Sequence, residues 1–189
     1  MTDNRNYNNM LRVGTVLHGT YRIEAYLASG GFGNTYEATN VQFGERYAIK
    51  EFFLKGVAQR DANNTTVSIS NSDNEVVFSA QREKFMTEAK LIRKLNNKHI
   101  VKLYDLFEEN GTAYYVMEYI DGKSIGNILK ESGNPLDEST AVNYVSQVLD
   151  ALKEVHGHHF YHLDIKPSNI MISNSRAILI DFGSSKQMK

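Results

Sequence analysis

Cysteine is missing from all 189 positions. Its absence excludes disulfide cross-links, a thiolate nucleophile and cysteine-ligated zinc, so any chemistry falls to oxygen and nitrogen groups. It also suits a reducing cytoplasm, the expected location. Excess positive charge is missing too: 21 Lys and Arg stand against 22 Asp and Glu, for a net charge of -1. Such a balance gives no electrostatic footprint for a phosphodiester backbone, and nucleic acid is not an expected partner. No apolar run approaches the roughly 20 residues that span a bilayer. The Asn-rich start, MTDNRNYNNM, lacks the apolar stretch of a signal peptide and reads as a disordered tail. There is no internal repeat, no sustained heptad pattern and no GxxxxGK[ST] phosphate loop.

What is present can fold. Hydrophobic residues make up 41% of the chain and charged ones 23%, enough for a core in one domain or two small lobes. From about Tyr21 to Glu51 three strand-like runs, YRIEAYL, GNTYEATN and RYAIKEFF, are bounded by Gly, Asn or Ser and predict adjacent antiparallel strands. Residues 56–75 are rich in Asn, Ser, Thr and Asp and read as a solvated insertion loop. A helix is predicted over 79–95, starting at Ser79, with Phe85, Ile92 and Leu95 at helical spacing. Two strands, IVKLYDLFE and TAYYVMEYI, flank the turn ENG. A short helix follows from about Ser124, then a longer one after NPLDES with a stripe of Val142, Val145, Leu149, Leu152 and Val155. This order predicts an α+β arrangement in two lobes rather than alternating βαβ units.

Four stretches carry chemistry. In LASGGFGNTYEA, residues 27–38, Gly30 and Gly33 occupy a turn between strands where backbone N–H groups can approach a phosphate closely. Alone, such a turn is more often structural. In YAIKEFF, strand alternation sends Lys50 the same way as Ala48 and Phe52, toward an interior or a cleft. Glu88 lies three residues after Phe85 and four before Ile92, on the apolar stripe of its helix, where a carboxylate needs a partner. Pairing Lys50 with Glu88 resolves both desolvation problems. HLDIKPSN brings Asp164, Lys166 and Asn169 onto one loop, which turn chemistry alone would allow. In ILIDFGSS an acid, Asp181, ends an apolar strand just before Gly183, and with Asn169 as second oxygen ligand it suits a hard cation such as Mg²⁺. The histidines of HGHHFYH, residues 156–162, lack an Asp or Cys partner, and metal binding by them is not expected.

Together, in this order, these motifs resemble the signature set of a protein kinase catalytic domain, of the bacterial Ser/Thr type. The resemblance covers about residues 21–186. It implies a two-lobed fold: a lead-in over 1–20, an N-lobe of antiparallel sheet plus one helix over 21–119 containing the 56–75 insertion, and an incomplete, mainly helical C-lobe over 120–189. It implies ATP and Mg²⁺ as cofactors and a protein Ser/Thr hydroxyl as acceptor. Asp164 would accept or orient the hydroxyl proton, and Lys166 would neutralise the moving phosphoryl group. Asn169 and Asp181 would hold the metal, while Lys50, fixed by Glu88, would hold the α/β-phosphates. Gly30, Phe32 and Gly33 would cover the phosphates, with Ala28 and Thr35 beside them. Glu118 and Tyr119 resemble the segment whose backbone binds adenine, Met117 the gatekeeper, and Ala48 and Met171 the residues that sandwich the base.

The chain departs from the family pattern in four places. Ala28 replaces a loop glycine, and Thr35 replaces the valine that packs on adenine. Leu163 replaces the arginine that pairs with a phosphorylated activation loop. The sequence given ends six residues after Gly183, so a longer kinase domain is expected, with this stretch inactive by itself. Two alternatives stay open: a nucleotide-binding scaffold without transfer, and a small-molecule kinase. The Lys two after the Asp in DIKPSN favours a protein substrate over the latter, and KPS favours Ser/Thr over Tyr.

Overall fold

A computed structural model describes residues 9–31 and 33–188; the first eight positions of the expected tail, and Phe32, lie outside the described residues. The chain divides into two compact units, Met1–Ala89 with Tyr104–Tyr119, and Lys90–Leu103 with Ile120–Lys189.

The first unit contains β1 (Val16–Leu17), β2 (Tyr21–Ser29), β3 (Gly33–Asn40), β4 (Arg46–Phe52), β5 (Ala58–Arg60), β6 (Val67–Ile69), most of α1 (Ser72–Ile92), β7 (Leu103–Glu109, its first residue excepted) and β8 (Thr112–Glu118). Its main sheet has the order β1-β2-β3-β4-β8-β7. Alternation along the strands gives that sheet two buried faces. One carries Tyr36, Ile49, Tyr114 and Val116 and packs on Leu11 and Leu17 of the lead-in. The other carries Phe52 and Tyr115, whose rings meet Phe78 and Phe85 of α1 at centroid distances of 4.8–5.6 Å. Each such buried side chain contributes roughly 1.5–3 kcal/mol. Asn110 and Gly111 both take positive φ, 55° and 74°, as a two-residue hairpin turn between β7 and β8 requires.

Three sequence expectations change here. Asn9 and Met10 are half-buried rather than part of a free tail, because the carbonyl of Asn9 accepts from Asn34 and Arg60. The 56–75 stretch is not a solvated loop: β5 and β6 pair within it, and Arg60 and Val67 bury against the sheet. Helix α1 starts at Ser72, seven residues before the predicted Ser79, since the side chain of Asn71 accepts from the Asn74 N–H and caps it, with Asp73 and Glu75 in the first turn.

The second unit contains β9 (Lys123–Ser124), α2 (Ile125–Ser132), α3 (Glu138–Gly157), β10 (Phe160–Tyr161), β11 (Ile170–Ser173), β12 (Arg176–Leu179) and β13 (Lys186–Gln187). Ser124 and Asp137 cap the two helices by accepting from Asn127 and Thr140 N–H groups. Strands β12, β11 and β9 form one small sheet, and β10 pairs with β13. Helix α3 buries Val148, Ala151 and Val155. The predicted stripe is only partly covered: Val155 is buried while Val142, Val145 and Leu149 are 58–62% exposed, as expected of a stripe left partly exposed, and the overlapping stripe through Val148 and Ala151 turns inward instead.

Candidate active site

In the first unit, β4 sets Lys50 directly opposite Thr35 of β3 on one side and Tyr115 of β8 on the other. Its Nζ lies 3.4 Å from Glu88 Oε1, with the side chains 19% and 7% exposed. The Tyr115 hydroxyl donates to the same Oε1 at 3.0 Å. No sequence periodicity points to Tyr115; only the adjacency of β4 and β8 sets it across from Lys50. In the glycine-rich turn, the Gly30 N–H donates to the Gly33 carbonyl at 2.9 Å. Gly33 is required by close approach, since a Cβ there would collide with the carbonyl oxygen of Glu51. Ala28 stands opposite Thr35, and buried Ala48 opposite Met117. Met117, Glu118 and Tyr119 are half-buried where β8 ends, and the Arg46 guanidinium lies 3.9 Å over the Tyr119 ring.

In the second unit, a 3-10 turn over Pro167–Asn169 folds the loop back on itself. Asp164 Oδ2 accepts from Lys166 Nζ at 2.8 Å and from Asn169 Nδ2 at 2.9 Å, and the same Nδ2 also donates to the Asp164 carbonyl. The Asn169 carbonyl accepts from Ile180 N–H, which ties the loop to the residue before Asp181. His162 Nδ1 accepts from the Asp164 N–H, leaving Nε2 as the proton-bearing nitrogen toward the Ile180 carbonyl. Phe182, 1% exposed, meets the His162 ring edge-on at 4.7 Å. Leu163 and Asp181 flank this core with left-handed φ of 64° and 60°, a conformation that disfavours side chains by about 1–2 kcal/mol and recurs at functional sites. Met171 sits on β11 between Ser124 and Ile178.

The electrostatics follow from these contacts. The hydrogen bond from Lys166 holds the Asp164 carboxyl below its ordinary range, aided by Asn169 and opposed by partial burial and the nearby Asp181 charge. Lys166 is raised by the same bond. Burial depresses His162, against a weaker upward pull from the Ile180 carbonyl, Asp181 and Asp164. Asp164 is therefore a carboxylate at neutral pH, held in place by a cation and an amide. The donor set suits a hard divalent cation: Asn169 spends its Nδ2 on Asp164 and keeps Oδ1 out of those bonds, and Asp181 supplies a carboxylate. Among the described residues no three His, Cys, Asp or Glu gather as a metal cluster.

The structure thus brings together Asp164, Lys166 and Asn169, with Asp181 nearby, in the second unit, and Lys50 with Glu88 in the first. The protein kinase domain family matches residues 21–189. Among curated relatives, the chain is similar to the probable serine/threonine-protein kinase YbdM of Bacillus subtilis, 29% identical over 96% of this chain and 64% of the relative. It is 34% identical to the serine/threonine-protein kinase PknA of Mycobacterium tuberculosis, over 93% of this chain and 37% of PknA. Serine/threonine-protein kinase PrkC of Bacillus subtilis is 31% identical over 90% of this chain and 24% of PrkC. A solved structure described as the PpkA-294 apo form superposes with a TM-score of 0.87 at 27% identity, covering 93% of this chain and 62% of that one. The chain spans less than two thirds of each of these proteins.

Proposed function

This chain belongs to the protein kinase domain family, and on that premise we propose that it contributes, as part of a longer kinase domain, to ATP-dependent phosphoryl transfer to Ser or Thr hydroxyls of a protein substrate, in the cytoplasm, where ATP is available. The observation that carries this reading is the Asp164 carboxylate held at 2.8–2.9 Å by Lys166 and Asn169. Phosphoryl transfer asks for positioning and charge neutralisation more than for covalent chemistry, and a carboxylate fixed at two points is a group that can orient a hydroxyl and accept its proton. Lys166, an exposed cation on the same loop, offsets negative charge as the phosphoryl group moves. Lys50, steadied by Glu88, binds the α/β-phosphates, while the backbone of the Gly30–Gly33 turn approaches them closely. The Glu118 and Tyr119 backbone binds adenine beyond Met117, and Ala48 and Met171 supply apolar contact to the base. Asn169 and Asp181 are the residues that would hold Mg²⁺, which would neutralise phosphate charge when bound.

Asp164→Asn in the complete kinase domain tests the reading. It preserves shape and the contact with Asn169 but removes the proton acceptor. Transfer of labelled phosphate to a generic Ser/Thr substrate should fall by about 10²–10⁴-fold while Mg-ATP affinity changes little. Unchanged transfer would refute the role of Asp164, and nucleotide binding without transfer by the unaltered complete domain would favour a scaffold.

A further inference from the structure

The most deeply buried charges of the first unit lie on the face of β4 away from Lys50. Glu51 and Arg60 pair at 2.7 Å with both side chains 0% exposed. The same carboxylate accepts from Tyr36 of β3 at 2.8 Å, from Asn34 beside Gly33 at 3.2 Å, and from Tyr114 of β8 at 3.1 Å. Both tyrosine hydroxyls hold their protons more firmly than usual, through burial first and the Glu51 charge second. They therefore remain donors to it. Arg60 also donates to the Thr65 carbonyl of its own hairpin and to the Asn9 carbonyl, while its buried Nε has no hydrogen-bond partner among the described residues. The second strand of that hairpin is held as well: the Val67 N–H donates to the Asn110 carbonyl at 2.8 Å, and Gly111 leaves room where a Cβ would come within 2.5 Å of the Val67 carbonyl oxygen.

This hairpin leads straight into α1. Only Ser70 and Asn71 separate β6 from the first helical residue, Ser72. In the first two turns Phe78 is buried against Phe52, but Val76 and Val77 are 72% and 49% exposed. The start of the helix is thus tethered largely through the hairpin. A well-packed apolar cluster would serve stability as well as a buried ion pair does; the pair adds a directional constraint. We infer that Arg60 is a positioning residue: by clamping the β5–β6 hairpin onto Glu51 it sets where α1 begins and so holds Glu88 within reach of Lys50. The consequence for nucleotide use rests on the kinase reading above; the clamp itself does not.

Two alterations of the full chain test it. Arg60→Met combined with Glu51→Gln removes both charges while keeping an amide oxygen to accept from Tyr36 and Asn34 at the Oε2 position; the amide NH2 then faces Tyr114, whose hydroxyl can turn to accept. Inserting four Gly/Ser residues between Ile69 and Ser70 leaves the buried cluster intact and uncouples it from the helix. In each, amide hydrogen exchange over Ser72–Glu88 should accelerate at least about fivefold, with a similar loss in affinity for Mg-ATP and a melting temperature close to that of the unaltered chain for the insertion. Unchanged exchange in α1 of the insertion variant would overturn the inference and leave Arg60 a purely structural residue. If the unaltered chain binds no Mg-ATP, the kinase reading fails while the exchange measurement still decides on the clamp.

Discussion

Replacing Lys50 by Met should destabilise the folded chain far more than the loss of one lysine contact suggests, because it strands the Glu88 carboxylate in a site only 7% exposed. Removing one partner of a fully buried pair is worth about 3–5 kcal/mol. Here the loss is smaller, because Lys50 is 19% exposed, the 3.4 Å separation is long for an ion pair, and the Tyr115 hydroxyl still donates to Glu88 at 3.0 Å. A cost of about 2 kcal/mol follows for Lys50→Met, and about 1 kcal/mol for Glu88→Gln, which keeps an acceptor for Tyr115. The double variant no longer contains the stranded carboxylate, so its cost should fall below the sum by about 1–2 kcal/mol. Urea unfolding of the four proteins under one buffer condition measures all three terms, provided the slopes agree. Additivity within about 0.5 kcal/mol would refute the reasoning, since it would mean that the two groups do not feel each other in the folded state. The same cycle read as affinity for Mg-ATP should show both single variants impaired and the double little worse than Lys50→Met alone.

Gly33→Ala should destabilise by about 1–3 kcal/mol or more, since the new methyl meets backbone rather than a movable side chain, whereas Gly30→Ala, with open space around its Cβ position, should be nearly neutral in thermal melts. On α3, Val155→Ala should cost about 2 kcal/mol and Val145→Ala less than about 0.5, because the first is 0% and the second 58% exposed; equal effects would show that the exposed stripe is covered in solution. His162 is held below its ordinary pKa by burial, so the unfolded chain binds its proton more readily than the folded one. Stability from this group is full above about pH 6.5 and is lost as the pH falls through that value toward the depressed one. His162→Gln should therefore lose less stability between pH 7.5 and 5.5 than the unaltered chain, and a parallel pH dependence would count against it.

Much of the second unit's site was legible because it is local. Asp164, Lys166 and Asn169 sit within six residues, and a loop that short brings their side chains together in almost any turn it can adopt. The start of α2 near Ser124 and the Asn110–Gly111 turn were legible for the same reason: the signal and the structure lie within four residues of each other. The Lys50–Glu88 contact spans 38 residues, yet two periodicities pointed to it, since each placed a charge among apolar neighbours and each charge needed the other. The relation of Glu51 to Arg60 had no such signal. Nine positions apart, one falls on a strand that alternation alone turns either inward or outward, and the other in a polar stretch that reads as solvated. Tyr115 and the choice between the stripes of α3 were hidden likewise, because strand adjacency and helix rotation depend on what packs against them. The sequence by itself determined the kinds of chemistry available, the order of the motifs and the loop that gathers Asp164, Lys166 and Asn169. Only the tertiary structure decided that Glu51 is buried with Arg60, Tyr36, Tyr114 and Asn34 around it, since a charge can leave water only where separate strands converge to supply its partners.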